Sequence, residues 1–317
     1  MPFDETLALN QAFLSAITSQ DPGLVKYAQE EANNFIRVRL REDAICRRIL
    51  PAEPVTREDY VPQLEDDEPV ILVEMEPRSP GALTMGLGRL APPSFIFHTR
   101  RFPVRLHILE SPRLRKHIHQ LETYRADIRK LLAEILVKDL GYREDIEFFK
   151  MVDTALGVDA TGAAKDKNVF TGVQQSWEIP GGISRVTLAE AHKRTMYPEG
   201  RIPVSKIVTN ITSLAELQKL ERLEVGDDRA ADIFFEGWGD RTIFGLDVIA
   251  TIKREIITDG VFYMFGDPNF MGKFYVRTEP TMYIKTEDLE VEFYCYEIIG
   301  AAIAWADAIH RFVFVTE

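Results

Sequence analysis

The first fifty residues carry apolar side chains at helical spacing, interrupted by prolines. The positions that share one face of the first predicted helix are Leu7, Phe13, Leu14 and Ile17. The pair Asp21-Pro22 ends this helix, and a second helix is predicted from Pro22 to Asn34, with Asp21 as its N-cap. Residues 35–40 alternate between apolar and polar side chains as a strand does, although residues 39–49 also fit a helix. Such a segment has little core of its own, so we expect it to lie against another part of the fold.

An extended hairpin is predicted between residues 70 and 108. Strand-like runs at 70–75, 94–98 and 104–108 flank a stretch at 77–93 that is rich in Gly and Pro. Loops of this length without internal structure usually act outside the core of their own domain.

A long amphipathic helix is predicted after the hairpin. Ser111 is a suitable N-cap and Pro112 a suitable first residue. The apolar stripe that follows consists of Leu114, Ile118, Leu121, Ile128, Leu132 and Ile135. No Pro or Gly intervenes before Gly141, which gives a helix of about 40 Å, and residues 145–156 continue it. The stripe fits a coiled-coil seam or a face packed on a sheet, and its short repeat favours the sheet.

The second half of the chain predicts a separate α+β unit. Residues 157–182 are rich in Gly and Ala, and a helix at 187–196 with a Thr187–Glu190 capping box follows. A strand at 202–210 and a helix at 214–223 come next. The last eighty residues contain further predicted strands, at 242–252, 261–265, 272–277, 282–285, 291–296 and 312–315. Residues 298–308 fit either a helix or a buried strand.

Composition and charge exclude several classes of protein. The chain has 317 residues, of which 45% are hydrophobic, and this suits two compact globular units. Its 38 Lys and Arg against 50 Asp and Glu give a net charge of −12, which disfavours general nucleic-acid binding and binding to anionic membranes. No apolar run is long enough for a bilayer span, and no secretory signal is visible. Cys46 and Cys295 exclude a disulfide framework; two buried thiols are favoured over a single bridge.

The candidate catalytic and ligand motifs are incomplete. In the Gly-rich segment 157–165, Lys165 lies two places too far from Gly162 for a phosphate-binding loop, so a flexible loop is favoured. Residues 86–91 contain a weak dinucleotide-type pattern that opens no helix. His117 and His119 point to different sides of the predicted helix and cannot share a metal ion. We therefore predict no enzyme activity, no cofactor and no metal site.

Charge is strongly segregated along the chain. Residues 78–116 form a basic block in which Glu110 is the one acidic residue. The basic residues of this block are Arg78, Arg89, Arg100, Arg101, Arg105, Arg113, Arg115 and Lys116. Acidic runs lie elsewhere, at 65–68, at 227–228, and at Glu287, Asp288, Glu290 and Glu292. Such segregation is self-complementary between copies of the chain. The predicted subunit contacts are Arg78, Arg89, Arg100, Arg101 and Arg105 on one copy, and Glu287, Asp288 and Glu290 on the next. The alternative is that both sets are solvated surface.

The order of these elements resembles that of the major capsid proteins of tailed bacteriophages, which have the Hong Kong 97-type fold. The stretches that carry the resemblance are a hydrophobic-Gly-Leu strand, an apolar-Gly-Asp-Pro turn, a Gly-to-Arg strand and two apolar C-terminal strands, at 243–250, 260–268, 272–277, 291–303 and 310–314. The resemblance implies an α+β fold with four parts. They are an N-terminal arm (1–68), an extended loop (69–109), a peripheral domain with a spine helix (110–156 and 269–296) and an axial domain (157–268 and 297–317).

The resemblance also implies a function and partners. The chain would be a virion protein that assembles in the host cytoplasm into hexamers and pentamers of an icosahedral shell, enclosing double-stranded DNA without sequence-specific binding. Its short leader implies a separate scaffolding protein, and the family implies a portal and possible decoration proteins. Residues 77–101 contain no Lys, so we expect no covalent crosslink from this loop. Two other functions remain open: the shell of an encapsulin-type compartment, and a nucleotide-dependent enzyme that uses Lys165.

Overall fold

The computed structural model describes residues 3–18, 23–26, 29–30, 44–61, 70–74, 101–122, 128–158, 174–197, 202–217, 242–287 and 289–315. The chain divides into two compact units. The first unit comprises Met1–Thr56, Leu106–Met151 and Phe274–Ala301. The second comprises Arg57–Arg105, Val152–Lys273 and Ala302–Glu317.

Both units mix helices and strands. The helices are α1 (Phe3–Thr18), α2 (Ile45–Ile49), α3 (Ile118–Glu122), α4 (Ile128–Leu156), α5 (Arg185–Arg194), α6 (Ile211–Leu217) and α7 (Pro268–Met271). The strands are β1 (Ala52–Pro54), β2 (Val70–Glu74), β3 (Arg101–Arg105), β4 (His107–Glu110), β5 (Leu114–His117), β6 (Ser176–Pro180), β7 (Val204–Asn210), β8 (Thr242–Ile243), β9 (Leu246–Thr251), β10 (Val261–Gly266), β11 (Gly272–Glu287), β12 (Glu290–Ile303) and β13 (Ile309–Val315). The predicted α+β class is confirmed.

The first unit is built on a five-stranded sheet. Its strand order is β1-β11-β12-β4, and β5 also pairs with β12. Strand β1 runs parallel to β11, whereas β4 and β5 run antiparallel to β12. Alternate side chains of β12 are buried because one face of the strand packs into the core; they include Val291, Phe293 and Cys295. The buried residues of α4 in this unit include Leu136, Val137 and Leu140.

The predicted start of the long helix is wrong. Residues 114–117 form strand β5 because their backbone pairs with residues 290–293 of β12, and this distant partner outweighs the local helical pattern. The Ser111 hydroxyl accepts a 2.9 Å hydrogen bond from the Cys295 amide and caps no helix. The long helix runs from Ile128 through Gly141 to Leu156, about 43 Å. Of the predicted apolar stripe, Leu121 and Leu132 are buried, whereas Ile135 is 39% exposed.

The second unit contains a six-stranded sheet of order β6-β13-β10-β7-β9-β8. Strand β10 lies inside the sheet and every one of its residues is buried, so its sequence is continuously apolar. Helix α5 begins at an N-cap formed by Ser184, whose hydroxyl accepts from the Thr187 amide. The predicted Thr187–Glu190 capping box is therefore one turn too late; Glu190 instead pairs with Arg194.

A two-stranded ribbon lies in the second unit, and the long C-terminal strands β11 and β12 differ from their predicted bounds. Strands β2 and β3 pair antiparallel at the base of the predicted hairpin. The single strand predicted at 104–108 is divided, because residues 107–108 belong to β4, which pairs with β12. The two strands predicted at 272–277 and 282–285 are one strand, β11. Residues 298–303 continue strand β12, and a short 3-10 helix follows at Ala306–Ala308.

Several predicted features lie outside the described residues. These are the second helix beyond its described residues 23–26 and 29–30, the strands at 35–40 and 94–98, most of the hairpin loop, and Lys165 with its neighbours. Both cysteines are free and buried, as predicted.

Candidate functional site

The predicted subunit contacts lie in two regions of the chain. Arg101 and Arg105 occupy the two ends of β3, and both are exposed. Glu287 ends β11 and Glu290 begins β12, so these two exposed carboxylates flank the tip of a hairpin in the first unit. The remaining predicted contacts lie outside the described residues: Arg78, Arg89, Arg100 and Asp288.

Both acidic residues at the hairpin tip have weak partners within the chain. Glu287 accepts a 3.1 Å hydrogen bond from Lys285, and Glu290 lies 3.9 Å from Nε2 of His117. All four side chains are between 48% and 69% exposed, so each pair contributes little to stability and exchanges readily for another partner. The tip residue between them, Leu289, is also exposed.

Glu292 does not belong to this acidic surface, contrary to the prediction. The pairing of β5 with β12 sets Glu292 opposite Arg115, and the carboxylate lies 3.3 Å from Arg115 Nη2 and 3.6 Å from Arg113 Nη1. Glu292 is only 7% exposed. Part of the basic block is thus engaged within its own subunit.

A cluster of three tyrosines accompanies these ion pairs and was not predicted. Tyr283 stacks on Tyr296 and on Tyr294, with ring centroids 5.1 and 5.5 Å apart, and the Tyr283 and Tyr296 hydroxyls are 3.0 Å apart. The Arg113 guanidinium lies 5.1 Å from the centroid of Tyr294. Tyr294 and Tyr296 are two residues apart on β12, and this spacing is the sequence signal that places their side chains on one face of the strand.

The first unit also contains a buried ionic cluster that sequence reasoning missed. Arg47 Nη2 lies 2.5 Å from Glu144 and 2.9 Å from Glu297, and all three side chains are nearly or fully buried. Burial raises the pKa of both carboxyls, and the charge of Glu144 raises the pKa of Glu297 further. These residues are far apart in sequence, so no local sequence motif indicates that they form a cluster.

The second unit has a smaller polar cluster at the end of α4. Tyr263 donates a 2.8 Å hydrogen bond to Asp153, and Arg311 Nε lies 4.0 Å from the same carboxylate oxygen. Arg311 also donates a 3.3 Å hydrogen bond to Ser176. Burial raises the pKa of Asp153 and of Tyr263, so the tyrosine stays a neutral donor.

In the first cluster the Cys46 thiol donates a 3.8 Å hydrogen bond to Glu144, and burial raises the pKa of this thiol, so it stays protonated. Within the described ranges, no group of three or more His, Cys, Asp or Glu side chains is placed to hold a metal ion. None of the helices that the structure describes combines the length and the apolar character needed to cross a membrane.

No family model matches the chain, and no curated protein matches it significantly.

Structural comparison finds many similar chains. The virus-like particle from Pyrococcus furiosus matches with a TM-score of 0.55 and 13% identity, covering 89% of this chain and 98% of that chain. A chain of Microbacterium phage Oxtober96 matches with a TM-score of 0.57 and 14% identity, covering 87% of this chain and 91% of the other. The capsid of the cyanophage P-SCSP1u matches with a TM-score of 0.55 and 10% identity, covering 84% and 90%. The chain therefore has the Hong Kong 97-type fold of phage capsid proteins.

Proposed function

We propose that the chain is the shell-forming subunit of an icosahedral capsid of the tailed-phage type, which assembles into hexamers and pentamers around double-stranded DNA. The observation that supports this proposal is the extent of the structural match: it spans most of this chain and 90% or more of the three compared chains. A match over one domain would leave much of the chain without a counterpart, whereas this match spans most of both chains.

The two compact units support an assignment of the capsid domains. In this proposal, the first unit contains the peripheral domain with α4 as its spine helix, and the second contains the axial domain. Residues 1–68 are assigned to the N-terminal arm, and the ribbon of β2 and β3 to the base of the extended loop at 69–109. The axial unit would meet its copies at the five-fold and six-fold centres.

The exposed charges support a contact between neighbouring subunits. Arg101 and Arg105 would approach Glu287 and Glu290 of the adjacent copy, and Arg78, Arg89, Arg100 and Asp288 would extend the same contact. A contact between two different surfaces repeats around a ring and closes it, as hexamers and pentamers require. Each ion pair is weak, and the shell gains stability because the contact is repeated in every copy.

The net charge of −12 supports a shell that encloses DNA without holding it. Phosphates meet a repulsive mean field at such a wall, so the genome slides in and out freely. Under this proposal, assembly takes place in the host cytoplasm with a separate scaffolding protein and a portal, and decoration proteins bind the finished virion.

Expression with and without the neighbouring genes tests this proposal. The expected result is closed, regular particles in negative-stain images, containing nuclease-protected DNA when the packaging genes are present. Particles that enclose an enzyme and no genome would instead identify an encapsulin-type compartment. A soluble monomer that binds nucleotide, with binding abolished by Lys165→Ala, would overturn the proposal in favour of an enzyme.

A further inference from the structure

One buried guanidinium in the first unit contacts three carboxyl groups. Arg47 projects from α2 and donates hydrogen bonds of 3.0 Å from Nε to Glu144 and 2.9 Å from Nη2 to Glu297. Glu279 of β11 lies 3.7 Å from Nη1. The adjacent Asp145 accepts a 2.9 Å hydrogen bond from the backbone amide of Cys46. Three elements of the unit therefore converge on the short helix that carries Arg47.

The charges in this cluster do not balance. Glu144 and Glu297 are completely buried and Glu279 is half-buried, so up to three negative charges face the one positive charge of Arg47. The Cys46 thiol contributes no charge to the cluster, because burial raises its pKa and the thiol stays protonated. Within the described part of the chain, Glu297 Oε1 is buried without a hydrogen-bond partner. A buried carboxylate oxygen without a donor is costly, whereas a protonated carboxyl removes that cost.

Geometry fixes where the extra proton belongs. Glu144 and Glu297 share the same Nη2 group of Arg47, so their carboxyls lie close enough to repel each other when both are ionised. Glu144 also accepts from Arg47 Nε, and it therefore holds its charge better than Glu297 does. The carboxyl group that takes up the extra proton is therefore that of Glu297.

We propose that this cluster is a proton-controlled latch on residues 44–56. With Glu297 protonated, Arg47 and Glu144 form a compensated pair that holds α2 in place. When Glu297 loses its proton, repulsion among the buried carboxylates weakens that hold. The inference concerns the single subunit and does not rest on the proposed function.

Apolar contacts determine how far the latch opens. Ala44, Ile45, Ile49 and Leu50 are buried, and β1 pairs with β11 beyond them. These contacts remain when the proton leaves, so the segment opens locally more often but does not detach. The sign follows from the raised pKa of Glu297: the stabilisation is fully present below the ordinary glutamate value of 4.5 and is lost as the pH rises through the higher folded-state value.

Amide hydrogen exchange of residues 44–56 between pH 6 and 9 tests the latch. Exchange rates are divided by the intrinsic rate at each pH, so that only the opening equilibrium is compared. We expect the protection of this segment in the wild type to fall by about tenfold or more across the range, which corresponds to one pKa unit of linkage. In Glu297→Gln, a neutral mimic of the protonated side chain, protection should stay constant. Glu287→Gln, an exposed residue of the same unit, should behave as the wild type.

Equal pH dependence in the wild type and in Glu297→Gln would overturn the proposal. If Glu297→Gln does not fold, the carboxyl ¹³C resonance of Glu297 in the wild type decides. A pKa of Glu297 well above the ordinary glutamate value of 4.5 supports the latch, and a pKa near 4.5 overturns it. Neither measurement requires particles, so failure of the latch is distinguishable from failure of the proposed function.

Discussion

The hydroxyl of Tyr263 donates a 2.8 Å hydrogen bond to Asp153, a residue 110 positions earlier in the chain. Tyr263 lies on β10, an inner strand of the six-stranded sheet, and Asp153 lies in the last turn of α4. The bond fixes the end of the long helix against the sheet of the second unit. Its loss would leave a carboxylate whose pKa is already raised by burial without its tyrosine donor.

Tyr263→Phe should therefore destabilise the protein. We expect a loss of about 1–2 kcal/mol in the free energy of unfolding, because a hydrogen bond to a charged acceptor is lost and the packing of the ring is kept. Denaturant unfolding with an unchanged m value measures this loss. Tyr197→Phe, which removes an exposed hydroxyl, is the matched control and should change little. Equal effects of the two substitutions would contradict this role for Tyr263.

His310 should make the second unit sensitive to acid. It is completely buried, and its ring centroid lies 5.8 Å from that of Trp177 and 6.4 Å from that of Phe312. Burial lowers its pKa from 6.5 to about 3. The neutral ring is therefore favoured in the folded state, and stability is fully present above pH 6.5 and falls as the pH drops toward 3.

His310→Phe should remove much of this acid sensitivity. The full shift corresponds to at most about 5 kcal/mol of stability, and phenylalanine keeps a ring in the stack without the proton. Thermal unfolding between pH 4 and 8 should show a smaller loss at low pH in the variant than in the wild type. His107→Gln, at an exposed position, is the control. Parallel pH profiles for all three proteins would show that His310 is not the sensitive group.

Two glycines of the second unit should respond differently to alanine. A Cβ at Gly272 would lie 2.1 Å from the backbone oxygen of Ala302, and a backbone carbonyl cannot move away cheaply. A Cβ at Gly245 meets no atom within 4 Å, although its φ of +80° is unfavourable for alanine. We expect Gly245→Ala to cost about 1 kcal/mol and Gly272→Ala about 3 kcal/mol or more. Similar unfolding midpoints for the two variants would refute the steric argument.

Local patterns predicted the elements in which the spacing of apolar residues matches the burial of the folded element. The apolar run at 261–265 predicts a buried strand, and the structure places it inside the six-stranded sheet. The first helix and the strand at β7 are likewise confirmed. In these segments the periodicity of the side chains and the burial of the element agree.

Features that depend on distant partners could not be predicted. Residues 114–117 have a helical pattern, but β12 supplies a paired strand nearly two hundred residues later. The cluster at Arg47 draws its carboxyls from positions 97 and 250 residues away. The charge pattern alone also could not tell that Glu292 pairs with arginines of its own subunit while Glu290 stays exposed.

The charge contact between subunits is testable by reversal on both sides. Arg101→Glu with Arg105→Glu should leave the subunit folded, because exposed substitutions change stability by about 0.5 kcal/mol or less, but particle yield should fall at least tenfold. Glu287→Lys with Glu290→Lys should have the same effect. Combining all four changes should restore part of the yield, as measured by density-gradient sedimentation.

Reversing two exposed basic residues at another surface controls for the change in net charge. Arg185→Glu with Lys193→Glu makes the same change in charge on helix α5. Normal assembly of this control, together with failed assembly of the β3 variant, supports a specific contact. Normal particles from the β3 variant would refute the contact.

Self-assembly is the central claim, and the mass of the purified protein in solution tests it most directly. Analytical ultracentrifugation of the protein, expressed with its scaffolding partner, should show a discrete megadalton species built from hundreds of 36.2 kDa subunits. A single species of subunit mass at all concentrations, with or without that partner, would contradict the account.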